Sequence, residues 1–222
     1  MNSNTIKKYG GYVRLLDIET EVPADWDLSG ATHVRVSLPA GRNGQAVMEA
    51  RGFVFGDRTL DVEIRPLKTK IDYSRLVRIK LEAVRDHSRE ILDIALAAFP
   101  FDRRFHLAPD YEPKVAKAVL EALVAELDEV LICHFKGEMI GFLALREVSD
   151  KKVSVYLAAV AEKSRASGAG LSLYAGAVDR AAKLGFEVIE GRISSLNTPV
   201  INMYAFLGGT FANPRDVYLK VM

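Results

Sequence analysis

Six residues, Arg165-Ala166-Ser167-Gly168-Ala169-Gly170, could hold an anion. They follow an apolar run, Val153 to Val160, that reads as a strand. They lead into Leu171 to Leu184, where Leu171, Tyr174, Val178, Ala181 and Ala182 recur at helical spacing. A strand–turn–helix with glycines at the turn aims several backbone N–H groups at one spot. The positive end of the helix dipole lies there too, so the turn suits a pyrophosphate. Gly168 and Gly170 omit a Cβ that would obstruct phosphate oxygens. Two other phosphate loops are excluded. A Walker loop ends in Gly-Lys-Ser/Thr, and Gly170 is followed by Leu171; the first glycine of the dinucleotide fingerprint would fall on Ala166.

The second chemical feature is Asn197-Thr-Pro-Val-Ile-Asn-Met-Tyr204-Ala-Phe-Leu-Gly208, behind an expected strand, Glu187 to Ile193. Asn197 is a good helix cap, Pro199 falls in the first turn where a missing N–H does no harm, and Gly208 stops the helix. Arg-x-x-Gly-x-Gly, then Asn, then Tyr seven residues on, then Leu-Gly, resembles the GNAT superfamily of acyl-CoA-dependent N-acyltransferases. The resemblance implies acetyl-CoA as co-substrate, held by Val160, Arg165, Ala166, Ser167, Gly168, Ala169, Gly170, Leu171 and Asn197. It implies Tyr204 as the general acid that protonates the departing coenzyme A thiolate. Ala166 and Gly209 depart from the usual Gly and Phe of the pattern.

The chemistry is consistent with the residue types. A neutral amine attacks the thioester, and the leaving thiolate has a parent pKa of about 8.5. A tyrosine hydroxyl, at about 10, can supply its proton as it leaves. The carbonyl oxygen gains charge and needs a positioned N–H, for which the backbone near Val160 is the natural source. His134, Glu147 and Tyr156 are weaker candidates for a base.

The elements that must position these groups follow in order from Leu76. They are a strand to Val84, helices at 88–99 and 113–127, a hairpin of 130–135 and 139–145, and the strand to Val160. After these come the long helix, the strand near Val188, the helix from Asn197 and a last strand, Val217 to Val221. This is the order the resemblance implies: an α+β fold of three α/β layers around a mixed twisted sheet, over residues 76–222. Residues 1–72 read as strands at 12–18, 33–38 and 59–64 with a helix at 44–50. Val34 to Pro39, a helix, Gly52-Phe53 and Leu60 to Ile64 look like a worn copy of Gly191 to Leu196, a helix, Gly208-Gly209 and Val217 to Val221. Met48 then takes the place of Tyr204, which makes 1–72 a degenerate partial domain of the same type.

An N-terminal extension of this size resembles dTDP-fucosamine N-acetyltransferase and its relatives, which act on nucleotide-linked amino sugars. That implies acceptor contacts from Arg103, Arg104 and His106 in the loop 101–109. The expected partner is a small-molecule amine. The rival readings are a protein N-terminal or lysine acetyltransferase, and an acyl-CoA-binding module without turnover. A net charge of +1 offers no field for nucleic acid, and no stretch is apolar enough to span a membrane. One cysteine, Cys133, and four scattered histidines give no metal spacing; the expected compartment is the cytoplasm and the expected assembly includes a homodimer.

Overall fold

A strand apolar at every position must be covered on both faces. Met139 to Leu145 is such a strand. In the computed structural model, which describes residues 6–85, 88–99 and 112–222, it lies within a ten-stranded sheet. The strands are β1 (Ile6–Tyr9), β2 (Val13–Glu19), β3 (His33–Pro39), β4 (Val54–Ile64), β5 (Leu81–Val84), β6 (Val130–Phe135), β7 (Glu138–Ser149), β8 (Lys152–Val160), β9 (Val188–Ser194) and β10 (Thr210–Val221). Their order across the sheet is β1-β2-β3-β10-β4-β9-β8-β7-β6-β5. Only β2–β3 and β8–β9 pair in parallel.

Helices α2 (Ser88–Ala98) and α3 (Pro113–Ala125) cover one face, packing Ile91, Val119 and Leu120 on Leu15, Phe142 and Leu157. The other face carries α1 (Arg42–Ala50), α4 (Ala169–Lys183) and α5 (Thr198–Phe206). The three-layer α+β fold expected from the sequence is the fold observed.

Two irregularities shape the centre. The β8–β9 ladder holds only from Lys152↔Val188 to Ser154↔Glu190, after which the two strands diverge. The β7–β8 ladder slips between Ala144↔Leu157 and Leu145↔Val155, so Tyr156 is an extra residue and turns to the α2–α3 face beside Leu157. A bulge of this kind sharpens the local twist and re-aims side chains.

The N-terminal strands are woven into the same sheet. β10 runs between β3 and β4, and Arg215 stands opposite both Pro39 and Thr59. The β4–β10 ladder reads alike from either end: Thr210↔Glu63 and Phe211↔Val62 match Val54↔Leu219 and Phe55↔Tyr218. The helix ends match as well. Phe53 N–H donates to Met48 O at 3.0 Å, and Gly209 N–H donates to Tyr204 O at 2.8 Å. Gly52 and Gly208 close these ends at φ 76° and 81°, conformations that favour glycine. Over the strands, the sequence comparison of these two segments slips: equivalent ladder positions make Pro39 the counterpart of Ser194, not of Leu196.

Several boundaries differ from expectation. The strand expected from Leu76 begins only at Leu81, because Tyr73–Leu76 forms a 3-10 turn lying on α4. The chain that follows the turn sits as close, and a Cβ on Gly176 would come within 2.2 Å of Leu81 Cδ1. Consequently α4 is buried over a wide arc, with Leu173, Ala175, Ala177, Val178 and Ala181 inside and Leu171, Tyr174 and Ala182 half-buried. β4 and β10 run longer than expected because each has a neighbour on both sides.

Candidate active site

The residues 162–167 form a 3-10 turn after β8, and Gly168, at φ 81°, caps α4. An L side chain at this φ would be strained, so the turn requires glycine. Ser167 Oγ accepts from Ala169 N–H at 3.2 Å and donates to Ser164 O at 2.6 Å, which fixes the entry. Helix geometry leaves the next first-turn amides, those of Gly170 and Leu171, without an intrahelical acceptor. They open on a cleft of about 870 Å³ whose walls are mainly apolar.

Val160, Arg165, Ala166 and Gly168 line this cleft from β8 and the turn. Gly170 and Leu171 line it from α4, and Asn197 from the start of α5. Ser167 and Ala169 do not line it; the first is exposed and occupied in the turn, the second is buried beneath α4. Sequence reasoning missed Met203 and Phe206 on α5, and Phe99 after α2. Met203 and Phe206 lie four and seven residues beyond Pro199, the helical spacing that carries them to the same wall. Arg103, Arg104 and His106 lie outside the described residues, as do Asp102 and His87.

Asn197 Oδ1 accepts from Val200 N–H at 3.4 Å, so the expected cap forms. It starts α5 in a direction that buries Tyr204, which is 1% exposed. The Tyr204 ring stands edge-on to Tyr174 with centroids 5.1 Å apart. Its hydroxyl faces β9 at Gly191, where a Cβ would lie only 2.8 Å from Oη. The two tyrosines, Ser194 and Asn197 line a narrow gap of about 40 Å³ between the diverging β8 and β9. The cleft and gap share Phe99, Ala158, Tyr174, Asn197 and Val200, so they adjoin. Along the divergence, β8 has a backbone edge with no β9 ladder partner, the kind of edge from which an N–H can face a reacting carbonyl.

The base candidates fare differently. Tyr156 lines the gap, but burial pushes its hydroxyl up to about 12, and it donates to Glu126 Oε2 at 3.0 Å. It therefore stays protonated. Glu147 is exposed and lines neither the cleft nor the gap. His134 on β6 lines neither as well. Cys133 is buried, and burial alone holds its thiol up at about 11, which leaves it unreactive. Among the described residues, no group of three or more His, Cys, Asp or Glu side chains could hold a metal ion.

Residues 89–208 match the model of the Acetyltransferase (GNAT) family, more than half of the chain, so this protein belongs to that family. It is an acyl-CoA N-acyltransferase, a transferase whose family uses acetyl-CoA as co-substrate and acts on amines of small molecules or proteins. No curated protein matches the sequence. Among solved structures, a functionally unknown conserved protein from Staphylococcus epidermidis is similar at a TM-score of 0.68 and 14% identity, over 96% of this chain and 86% of that one. A GCN5-related N-acetyltransferase from Sphaerobacter thermophilus gives 0.57 at 14% identity, over 85% and 59%. A tandem GNAT protein from the clavulanic acid biosynthesis pathway gives 0.51 at 13% identity, over 86% and 64%. No helix among the described residues is long and apolar enough to cross a membrane.

Proposed function

We propose that this transferase moves an acetyl group from acetyl-CoA to the amine of a small molecule by direct attack, with Tyr204 as general acid. One observation carries the reading: a buried tyrosine lines the gap between diverging strands, and that gap adjoins a cleft opening on a glycine-led helix start. The pyrophosphate lies on the first-turn amides of α4, with Arg165 beside it. The pantetheine arm follows the apolar wall toward Val160, and the thioester enters the gap. The amine nitrogen bonds to the thioester carbon, the C–S bond breaks, the thiolate sulfur takes the Tyr204 proton, and the proton that the new amide nitrogen sheds returns to the Tyr204 oxygen. Most of the acceleration comes from holding the two reactants together.

The narrow gap beside Tyr204, about 40 Å³, favours a small molecule over a protein lysine, which would want an open groove. A buried hydroxyl has no use in a module that binds acyl-CoA without turnover. A nucleotide-linked amino sugar is the acceptor we single out, with Arg103, Arg104 and His106 on its nucleotide side. We also read residues 1–72 as a degenerate partial domain whose strands and helix mirror β9-α5-β10 but carry Met48 in place of Tyr204, and residues 76–222 as the catalytic domain. The buried single thiol fits a cytoplasmic enzyme.

The test is thiol release from acetyl-CoA with a panel of amino sugars, diamines and peptides, wild type against Tyr204→Phe. Turnover should fall by about two orders of magnitude or more in the variant, while acetyl-CoA affinity holds. The loss should shrink with an acyl donor whose thiol has a lower pKa. Near-normal turnover in Tyr204→Phe removes the general-acid role.

A further inference from the structure

A second pocket, of about 340 Å³, opens on the α2–α3 face of the sheet. Tyr156 and Arg192 line both it and the gap that holds Tyr204, so the two spaces meet from opposite faces. Its floor is supplied by β4: Asp57 and Thr59, 5% and 3% exposed. Thr59 Oγ1 is buried with no hydrogen-bond partner, which is costly for a hydroxyl unless something polar arrives. Asp57 Oδ1 accepts from Ser194 Oγ at 2.9 Å and from Arg58 N–H at 2.7 Å. Ser194 lines the gap, so the Asp57–Ser194 hydrogen bond joins pocket to gap.

We propose that the acceptor enters through this pocket as an ammonium, and that Ser194 and Asp57 receive its proton before attack. The proposal rests on the transferase reading above and adds to it the acceptor class and the proton's destination. An N–H bond of the ammonium breaks and its proton goes to Ser194 Oγ. The Ser194 O–H proton passes to Asp57 Oδ1. The products are a neutral amine facing the thioester and a protonated Asp57. Ser194 touches the amine; Asp57 is a positioning residue that acts through it.

The pocket also restricts the acceptor. At ~30 Å³ per water, it holds about eleven waters, room for a single sugar ring or a short polar amine. Its lining carries four acids and four bases, and three of the bases are already paired: Arg35 with Asp17 at 2.5 Å, Arg146 with Glu126 at 3.0 Å. Arg192 is held by Glu19 at 2.9 Å and Asp61 at 2.8 Å. Lys7, the fourth base, forms no ion pair among the described residues. The volume limits the acceptor's amine-bearing end to a compact, polar, cationic group.

The experiment pairs binding with turnover, using glucosamine, 1,4-diaminobutane and glycine methyl ester as probes. Saturation-transfer NMR reads amine binding, thiol release reads turnover, and calorimetry reads acetyl-CoA affinity, in wild type, Ser194→Ala and Asp57→Asn. At least one probe should bind wild type, and that binding should weaken in both variants. kcat/KM for the amine should fall about tenfold in Ser194→Ala and about a hundredfold in Asp57→Asn, with acetyl-CoA affinity unchanged. The pH profile of Asp57→Asn should then rise in step with the free-base fraction of the amine. Should Asp57→Asn misfold, Ser194→Ala, a smaller change, still decides. Binding without turnover in wild type would refute the transferase reading and leave the pocket standing. No probe binding wild type, or binding and pH profiles unchanged in Ser194→Ala, would overturn the pocket proposal.

Discussion

Gly191→Ala is the sharpest probe of Tyr204, because it moves the hydroxyl without removing it. The new Cβ would sit 2.8 Å from Tyr204 Oη, 3.4 Å from Val62 Cγ1 and 3.6 Å from Tyr204 Cζ. Ordinary contact starts near 3.4 Å, so the hydroxyl must retreat by about 0.6 Å, the difference of the two distances. It has little room, since the ring is wedged against Tyr174 and buried with Val62, Ile189 and Ile193. Overpacking of this kind costs about 1–3 kcal/mol in stability. Displacement of a reacting group by the better part of an ångström can cost about a hundredfold in rate.

The assay is a double-mutant cycle on kcat, with denaturant unfolding on the same four proteins. Gly191→Ala should cost turnover heavily in the wild-type background and little in Tyr204→Phe, where no hydroxyl remains to displace. The two losses should therefore be strongly non-additive. Stability should be non-additive too, since Tyr204→Phe relieves the clash and restores part of the unfolding free energy. Equal rate losses in both backgrounds would mean that the added methyl acts on something else, and the placement of the reacting hydroxyl against β9 would fall.

Gly170→Asp should abolish acetyl-CoA binding in calorimetry with little loss of fold. The nearest atom to its Cβ, Met203 Sδ, is 3.7 Å away, so the side chain has room, and the carboxylate repels phosphate. Retained affinity would remove the pyrophosphate assignment. Cys133 should resist an aromatic disulfide reagent in the native protein and react on unfolding. Its thiol is held up at about 11, so the unfolded chain loses that proton first. Stability should then fall as pH rises above about 8.5, by at most ~1.4 kcal/mol per unit, and Cys133→Ala should flatten that slope. Residues 76–222 expressed alone should aggregate or stay unfolded, because β10 would lose β3 and β4, its neighbours on both sides; a folded fragment by circular dichroism would refute this.

Much of the cleft was legible because its signals are local. The glycine turn, the Asn197 cap, Pro199 and the Gly208 stop each act within a few residues, and each stands where the sequence puts it. Tyr204 is buried because it falls on the inward face of a short helix whose start and stop were both marked. The α4 face was misread for a non-local reason: its outer side is covered by Tyr73–Leu76 and Leu81, nearly a hundred residues earlier in the chain. The β1 strand, four residues with two exposed lysines between half-buried ends, carries too little signal to be found. Asp57, Thr59 and Ser194 were illegible for the same non-local cause. Nothing in the spacing of 57 and 194 says that β4 and β9 are neighbours; only the ladder Thr59↔Ser194 does.

That ladder also bears on why a transferase of this family would carry so many residues before its glycine turn. A strand between β9 and β10 is needed, since without it β9 would have a bare edge beside the diverging β8 and the gap would lose its rigid wall. Here the chain supplies that strand from residues 54–64, and β10 pairs with both β4 and β3. Pairing with β9 puts the side chains of β4 under the gap. One face of β4 sends Val62 and Ile64 into the core around Tyr204, and the other sends Asp57 and Thr59 into the opposite pocket. A strand with a period of two thus serves both reactants at once, packing against the residue we assign to the thiolate on one side and facing the amine on the other. Substitutions along β4 should therefore divide by parity: Val62→Ala acting through stability and Tyr204, Asp57→Asn acting on the amine with acetyl-CoA affinity unchanged.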